Sequence, residues 1–338
     1  MTTKILIVRT SSLGDLVHML PAISDIAAHV PNAQIDWIAE ESFAEIPAWH
    51  PAVHEVIRVA HRRWRKQWWS AQTRAERARL KRDLAARRYD IVLDMQALMK
   101  SVWLVRQTHG VRHGLDRKSA REPLASFFYD VKHTVGFWQP AIKRQRDLAA
   151  SVFGYQWQGP PNFGLQRFTE GVPIEPYAVI MPSASRDDKL WAPASWHAVF
   201  QELGRRGLAL KVLAGNAAET ERARQLMQGV PNAQVLPRMS LTEVAGVLAR
   251  ATIMVGLDSG LTHLSAGLGR PTLGIYKAST PVRTPLQGGA YTASLGERGH
   301  EPSAQQVLQA IHEALDLPSA TEGALLPTAA ASGGQVPA

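Results

Sequence analysis

The 338-residue chain contains no cysteine. Disulfides, thiolate zinc centres and cysteine nucleophiles are therefore excluded. No stretch approaches the roughly 20 apolar residues of a membrane-spanning helix. The start, Met-Thr-Thr-Lys-Ile-Leu-Ile-Val-Arg, is too short in its apolar part for a secretory signal. A cytoplasmic protein is expected. Asp-x-Asp is missing, which argues against a metal-chelated diphosphate, and so is the Gly-x-Gly-x-x-Gly fingerprint of dinucleotide binding. Two histidine pairs have i, i+4 spacing, His50 with His54 and His109 with His113. Pro51 and Gly110 disfavour a helix at either place, so all four are read as loop histidines. No metal and no cofactor are expected.

A net excess of positive charge is also missing from half of the chain. Residues 1–160 hold 24 of the 38 Lys and Arg but only 15 of the 29 acids, and the remainder is balanced. The first half alone is suited to a polyanionic partner.

What is present is a repeated alternation of apolar runs and helical periodicity. Strands are expected at Lys4–Arg9, Gln34–Ala39, Glu55–Ala60 and Asp90–Met95, with helices between them. The alternation restarts with strands at Tyr177–Met181, Ala209–Ala214, Gln234–Leu236, Thr252–Leu257 and Thr272–Tyr276. Such order implies βαβ units and parallel sheets. The fold class is α/β, with two Rossmann-like, doubly wound domains over 1–158 and 159–317. They are divided by the Gly/Pro-rich stretch Gly154–Pro161, and an Ala/Gly/Pro/Ser-rich tail, 318–338, is expected to be disordered. Pro21, inside a helical pattern running from Leu16 to Val30, predicts a kink or a late helix start.

Two strand–turn–helix units carry chemistry. Thr10-Ser-Ser-Leu-Gly14-Asp15 follows the first strand, and Asp258-Ser259-Gly260-Leu-Thr-His263 follows a buried strand late in the chain. In open α/β sheets such turns are where ligands bind. Free N–H groups of residues 259–261 would favour a phosphate. Asp15 is either a dipole-complementing acid or a carboxylate aimed into a cleft, exposed and of ordinary pKa near 4. Lys189, in a loop after a strand, suits a diphosphate. Glu219 either caps a helix or accepts from a ribose hydroxyl.

Between Arg58 and Arg88 stand 12 Lys and Arg against Glu76 and Asp83. Asp83 and Arg87 have the spacing of a helical ion pair. Trp64, Trp68 and Trp69 are interleaved with the cations, which suits a surface of lipid headgroups. No nucleic-acid module signature accompanies them, and no nucleic-acid partner is expected. Lys143, Arg144 and Arg146 add further cations.

Thr10-Ser-Ser-Leu-Gly-Asp15, Arg62-Arg-Trp-Arg-Lys66, Arg121-Glu-Pro-Leu-Ala-Ser126, Arg186-Asp-Asp-Lys189, Pro237-Arg-Met-Ser240 and Asp258-Ser-Gly-Leu-Thr-His-Leu264 together resemble the lipopolysaccharide heptosyltransferases. The likeness runs through nearly the whole chain to about Leu315. It implies a GT-B glycosyltransferase whose two domains face a central cleft. The implied reaction moves L-glycero-D-manno-heptose from ADP-heptose to the first Kdo of Kdo2-lipid A with inversion, at the cytoplasmic face of the inner membrane and in peripheral contact with its anionic surface. By the same resemblance, Asp15 is the general base and Lys189 the cation on the donor phosphates. Ser185, Glu219, Met239, Asp258, Ser259, Gly260 and His263 complete the donor side. Ser12, Gly14, Arg62, Arg65, Lys66, Arg121 and Arg144 form the acceptor side. A heptosyltransferase with another core acceptor and a nucleotide-sugar 2-epimerase are the rival readings. The sequence departs from the family's usual run after the last strand, where Lys277-Ala-Ser-Thr-Pro281 stands.

Overall fold

The computed structural model describes residues 2–316 except Ser185, so the expected tail, 318–338, lies outside them. The described residues form two six-stranded parallel sheets. Strands β1 (Thr3–Val8), β2 (Ala33–Glu40), β3 (Val53–Val59), β4 (Arg88–Asp94), β5 (His109–Leu115) and β6 (Val131–His133) run β3-β2-β1-β4-β5-β6 across the first. The second sheet comprises β7 (Glu175–Met181), β8 (Ala209–Val212), β9 (Ala233–Val235), β10 (Ala251–Leu257), β11 (Thr272–Ile275) and β12 (Thr292–Leu295). Its order is β12-β11-β10-β7-β8-β9, the same winding read from the other edge. Each sheet is thus doubly wound, with a switch point between β1 and β4 in one and between β7 and β10 in the other.

The helices in chain order are α1 (Leu13–Val17), α2 (Leu20–His29), α3 (Glu45–Trp49), α4 (His61–Lys66), α5 (Ala71–Ala85) and α6 (Met99–Val105). They continue with α7 (Ala141–Phe153), α8 (Pro193–Arg205), α9 (Ala217–Leu226), α10 (Leu241–Arg250), α11 (Gly260–Gly267) and α12 (Ala304–Leu315). None is long and apolar enough to cross a membrane.

Helices cover both faces of each sheet, so the central strands are buried beyond their first residues and read there as apolar runs. Ile5–Val8 and Ile253–Val255 have no exposed surface. Pro21 acts as expected. The helix anticipated from Leu16 to Val30 is broken at His18–Met19, and Pro21 stands in the first turn of α2, where its missing N–H costs nothing.

Several expectations are corrected by packing. The basic segment after β3 folds as α4, because the buried carboxylate of Glu40 accepts from the backbone N–H groups of His61 and Arg62 and so caps the helix. Trp64 faces inward at 7% exposure and donates to Glu76, whereas Trp68 and Trp69 are 64% and 65% exposed. Asp83 pairs with Arg79, and Arg87 reaches across to Glu55 at 2.6 Å. Three of the four histidines are not in loops: His54 lies on β3, and His109 and His113 lie on β5, while His50 is in the short connection after α3, as expected, and is buried there. Asp36, His54 and Glu55 come within metal-ligand distance of one another. Arg87 and the Tyr89 hydroxyl already satisfy the two carboxylates. Arg146 is no surface cation. Its guanidinium is buried against Asp25 at 2.6 and 2.9 Å and stacks on Trp157.

The two lobes share one apolar core, which runs from Ile5, Leu16 and Ile46 to Val244, Leu248 and Leu264. Polar contacts fix their orientation. Glu45 of α3 accepts from the Thr242 N–H and hydroxyl at the start of α10, and Trp49 Nε1 donates to Thr242 Oγ1. The carbonyl of Arg283 accepts from the Ala141 N–H that begins α7.

Candidate active site

The carboxyl ends of the two sheets face each other, and the turns after β1 and β10 meet there. Gly260 is a position where only glycine fits. A Cβ would stand 2.4 Å from Leu13 Cδ2 and 2.7 Å from the Gly14 nitrogen. The amino end of α11 therefore abuts the first lobe at Gly260, against Leu13 and Gly14.

Asp15 lies in this contact, one residue beyond Gly14. Its Oδ2 accepts from the Ser12 N–H at 2.7 Å and the Ser12 hydroxyl at 3.0 Å. Its Oδ1 lies 2.7 Å from Arg9 Nη2. The side chain is 38% exposed, but it is not the ordinary carboxylate expected from the sequence. Burial pushes its pKa up, and the Arg9 guanidinium, the Ser12 hydrogen bonds and His18 outweigh that and bring it down to about 2. Ser12, expected on the acceptor side, thus holds the carboxylate in place. The whole turn is pinned to the segment after β4. Gln96 Oε1 accepts from the Thr10 N–H and hydroxyl, Gln96 Nε2 donates to the Ser11 carbonyl, and Lys100 Nζ donates to Ser11 Oγ.

Across the contact, Asp258 is the hub. Lys189 Nζ donates to its Oδ2 at 2.8 Å and to its carbonyl at 3.1 Å, and Ser279 Oγ donates to the same Oδ2 at 2.5 Å. His263 Nε2 lies 3.4 Å from Oδ1. Burial raises the Asp258 pKa, yet its bonds to His263, Lys189 and Ser279 hold it well below the usual carboxylate range. His263 in turn meets the His18 ring edge to face, with centroids 4.4 Å apart. His18 is 4% exposed, and neither ring nitrogen has a hydrogen-bond partner among the described residues.

Ser259 caps α11 by accepting from Thr262 N. Both Glu219 oxygens are engaged locally, by the Gly215 N–H at 2.7 Å and Asn216 Nδ2 at 2.8 Å, so the capping reading is the one on display. Met239, half-buried, packs at the edge of the shared core just before α10. Ser185 lies outside the described residues. On the cationic side, Arg62 stacks over Phe43, Arg65 and Lys66 are exposed on α4, and Arg121 is exposed after β5. Arg144 donates to the Ser119 carbonyl and faces Phe137.

Sequence reasoning missed Arg9, His18, Gln96, Lys100 and Ser279. Arg9 and His18 flank a recognised turn and were within reach of a reading that asked what faces Asp15. Ser279 was not, because only the fold brings residue 279 beside residue 258. Ser279→Ala removes one of the bonds holding Asp258. It is expected to raise donor KM by roughly ten- to a hundredfold, the worth of one hydrogen bond to a charged group, with acceptor KM unmoved in initial-rate kinetics.

Residues 77–312 match the family described as glycosyltransferase family 9 (heptosyltransferase). Lipopolysaccharide heptosyltransferase 1 of Salmonella typhimurium is 45% identical over 283 residues, which is 82% of this chain and 89% of that protein. The solved structure of Escherichia coli heptosyltransferase WaaC with ADP superposes with a TM-score of 0.87 at 41% identity, covering 92% of this chain and 99% of that one. The same enzyme with ADP-2-deoxy-2-fluoro heptose superposes with a TM-score of 0.84 at 41% identity and the same coverage.

Proposed function

The chain belongs to glycosyltransferase family 9, the heptosyltransferases, and from that premise we propose that it transfers L-glycero-D-manno-heptose from ADP-heptose to the first Kdo of Kdo2-lipid A, with inversion. It is a glycosyltransferase of the GT-B fold. The relative named heptosyltransferase 1 and the two E. coli structures, with ADP and with a fluorinated ADP-heptose, support the donor and the branch of the family.

The observation that carries the reading is a division of charge across the lobe contact. One lobe holds a carboxylate, Asp15, and the other holds Lys189 on Asp258. Inverting transfer needs a base on one face of the donor sugar and charge stabilisation of the leaving group on the other. In this reading Asp15 takes the proton of the attacking Kdo hydroxyl. Lys189 stabilises the departing diphosphate, with Asp258, Ser259, Gly260, His263 and Ser185 around the donor sugar and phosphates. Glu219 and Met239 take the nucleoside. For Glu219 that requires exchanging its present Gly215 and Asn216 partners for a ribose hydroxyl. The first domain, 1–158, holds the acceptor and the second, 159–317, the donor. Radiolabelled ADP-heptose offered with Kdo2-lipid A, and separately with its already heptosylated product, tests the assignment. Label passing only to the second would move the protein to a later step of core assembly, and donor turnover with no acceptor would make it an epimerase.

Kdo carboxylates and lipid A phosphates are polyanionic, in keeping with a charge excess restricted to the first half. Arg62, Arg65, Lys66, Arg121 and Arg144 are assigned to this acceptor. Trp68 and Trp69, exposed in the turn after α4, are assigned to a peripheral contact with the anionic inner leaflet. Arg65→Ala with Lys66→Ala is expected to raise acceptor KM without moving donor KM. Trp68→Ser with Trp69→Ser is expected to weaken sedimentation with anionic vesicles instead. A fall in donor binding in the first variant would reverse the assignment of lobes.

A further inference from the structure

Asp15 is fully engaged before any acceptor arrives. One oxygen accepts two hydrogen bonds from Ser12, and the other is paired with Arg9 at 2.7 Å. A carboxylate in that condition is a weak base, because a proton added to it must break these bonds. Arg9 itself is only partly used. Nη1 donates to the Met95 carbonyl at 2.5 Å, Nη2 meets Asp15, and Nε is buried with no partner among the described residues. Its side chain is 11% exposed.

Arg9 also stands in an electropositive neighbourhood. The Arg144 guanidinium is lowered to about 10, by burial first and then by the nearby charges of Arg283 and Arg9. Lys100 hydrogen-bonds the adjoining Ser11, and its pKa is lowered by burial, with Arg62 and Arg9 adding to the effect against Glu40 and Asp15. A further anion entering this group would relieve repulsion among the cations. The guanidinium fork is the side chain best shaped to take a carboxylate on its free donors.

We infer that Arg9 binds the carboxylate of the acceptor sugar acid, and that by turning to it Arg9 releases Asp15 Oδ1 to accept the proton of the attacking hydroxyl. This rests on the acceptor proposed above. The hydroxyl proton passes to Asp15 Oδ1, and the hydroxyl oxygen forms the new bond to the donor anomeric carbon. The bond from that carbon to the phosphate oxygen breaks, its electron pair remaining on the diphosphate beside Lys189. Arg9 is then a specificity device as well as a binding group. A neutral sugar alcohol has nothing to exchange for Asp15, so it would meet a base that is still clamped.

The test compares Kdo2-lipid A with the same acceptor carrying a methyl ester on the accepting sugar. For the unaltered protein, esterification is expected to lower kcat/KM by about 100-fold, the worth of a charge-assisted pair. Arg9→Gln is expected to lose about the same factor on the acid and to lose most of its preference for acid over ester, with donor KM unchanged. Arg9→Lys keeps the charge without the fork. It is expected to fall between the two, and it carries the test if the glutamine variant does not fold. Undiminished acid-over-ester preference in either variant, or a loss confined to donor binding, would overturn the assignment. If the unaltered protein moves no heptose onto Kdo2-lipid A, the proposed acceptor falls and this inference with it. If it does, and the variants keep the preference, only the role of Arg9 falls.

Discussion

Asp15→Asn is expected to lower turnover by roughly two to four orders of magnitude, the range for loss of a general base, while leaving ADP-heptose affinity close to that of the unaltered protein. The amide is isosteric. Its oxygen can still accept from Ser12, so the turn between β1 and α1 should hold its shape. What the amide cannot do is take a proton. Among the described residues, the nearby carboxylates Asp258 and Glu219 are held by other partners. Asp258 is bound by Lys189, Ser279 and His263 and is itself held well below the usual carboxylate range. Glu219 is tied into the cap of α9. Single-turnover rates with saturating donor, alongside calorimetric titration of ADP-heptose, separate chemistry from binding. Full activity in the variant would remove Asp15 from the mechanism, and a parallel loss of donor affinity would place it on the other substrate.

A second large effect is expected from pH acting on stability rather than rate. His18 and His50 are buried as neutral rings. Burial, with the neighbouring His263 charge, lowers His18 to about 3 against the partial opposition of Asp15 and Asp258. Burial alone lowers His50 to about 4. The hydrogen bonds of His50 specify which form it needs. The Ala52 N–H donates to its Nδ1, so Nδ1 is unprotonated and Nε2 carries the hydrogen facing Ser24 Oγ. Adding a proton at Nδ1 would break the first of these bonds. In the unfolded chain both histidines protonate near the ordinary value of about 6.5, so below that pH the unfolded state binds more protons than the folded one. Stability is then complete above about pH 6.5. It falls as pH drops from there toward the folded values, by on the order of 1.4 kcal/mol per pH unit for each histidine. Calorimetric unfolding between pH 7 and pH 5 should show the loss, and His50→Gln should make the slope shallower. A transition independent of pH over that interval would mean that both rings are charged or accessible in the native state.

The two effects meet at His18. It stands three residues after Asp15 and packs against His263 of the opposite lobe. Acid that charges His18 therefore acts on the contact that brings the two candidate substrates together, and activity is expected to fail along with structure rather than before it.

Most of the architecture was legible in the residue order. The central strands β1, β2, β7 and β10 are buried on both faces, and a strand so placed must be apolar along its length, so its pattern survives in one dimension. Strands β5, β6 and β12 escaped because they carry no unbroken apolar run. His-Gly-Val-Arg-His-Gly-Leu and Val-Lys-His carry the polar residues of half-exposed strands and resemble loops. Trp64, Trp68 and Trp69 were indistinguishable on paper. Helix α4 turned the first inward onto Glu76, and the turn after it left the other two in solvent.

The turns bearing Asp15 and Asp258, the loop bearing Lys189 and the uneven charge were all determined by sequence, since each is a local pattern of residues beside a strand end. What carboxylates and cations do to one another was decided only in three dimensions. Arg9 on Asp15, Ser279 on Asp258, and Gly260 against Leu13 are juxtapositions made by two separately wound sheets whose carboxyl edges meet. Electrostatic and steric effects depend on distance through space, and spacing along the chain carries no record of the distance between residue 15 and residue 260.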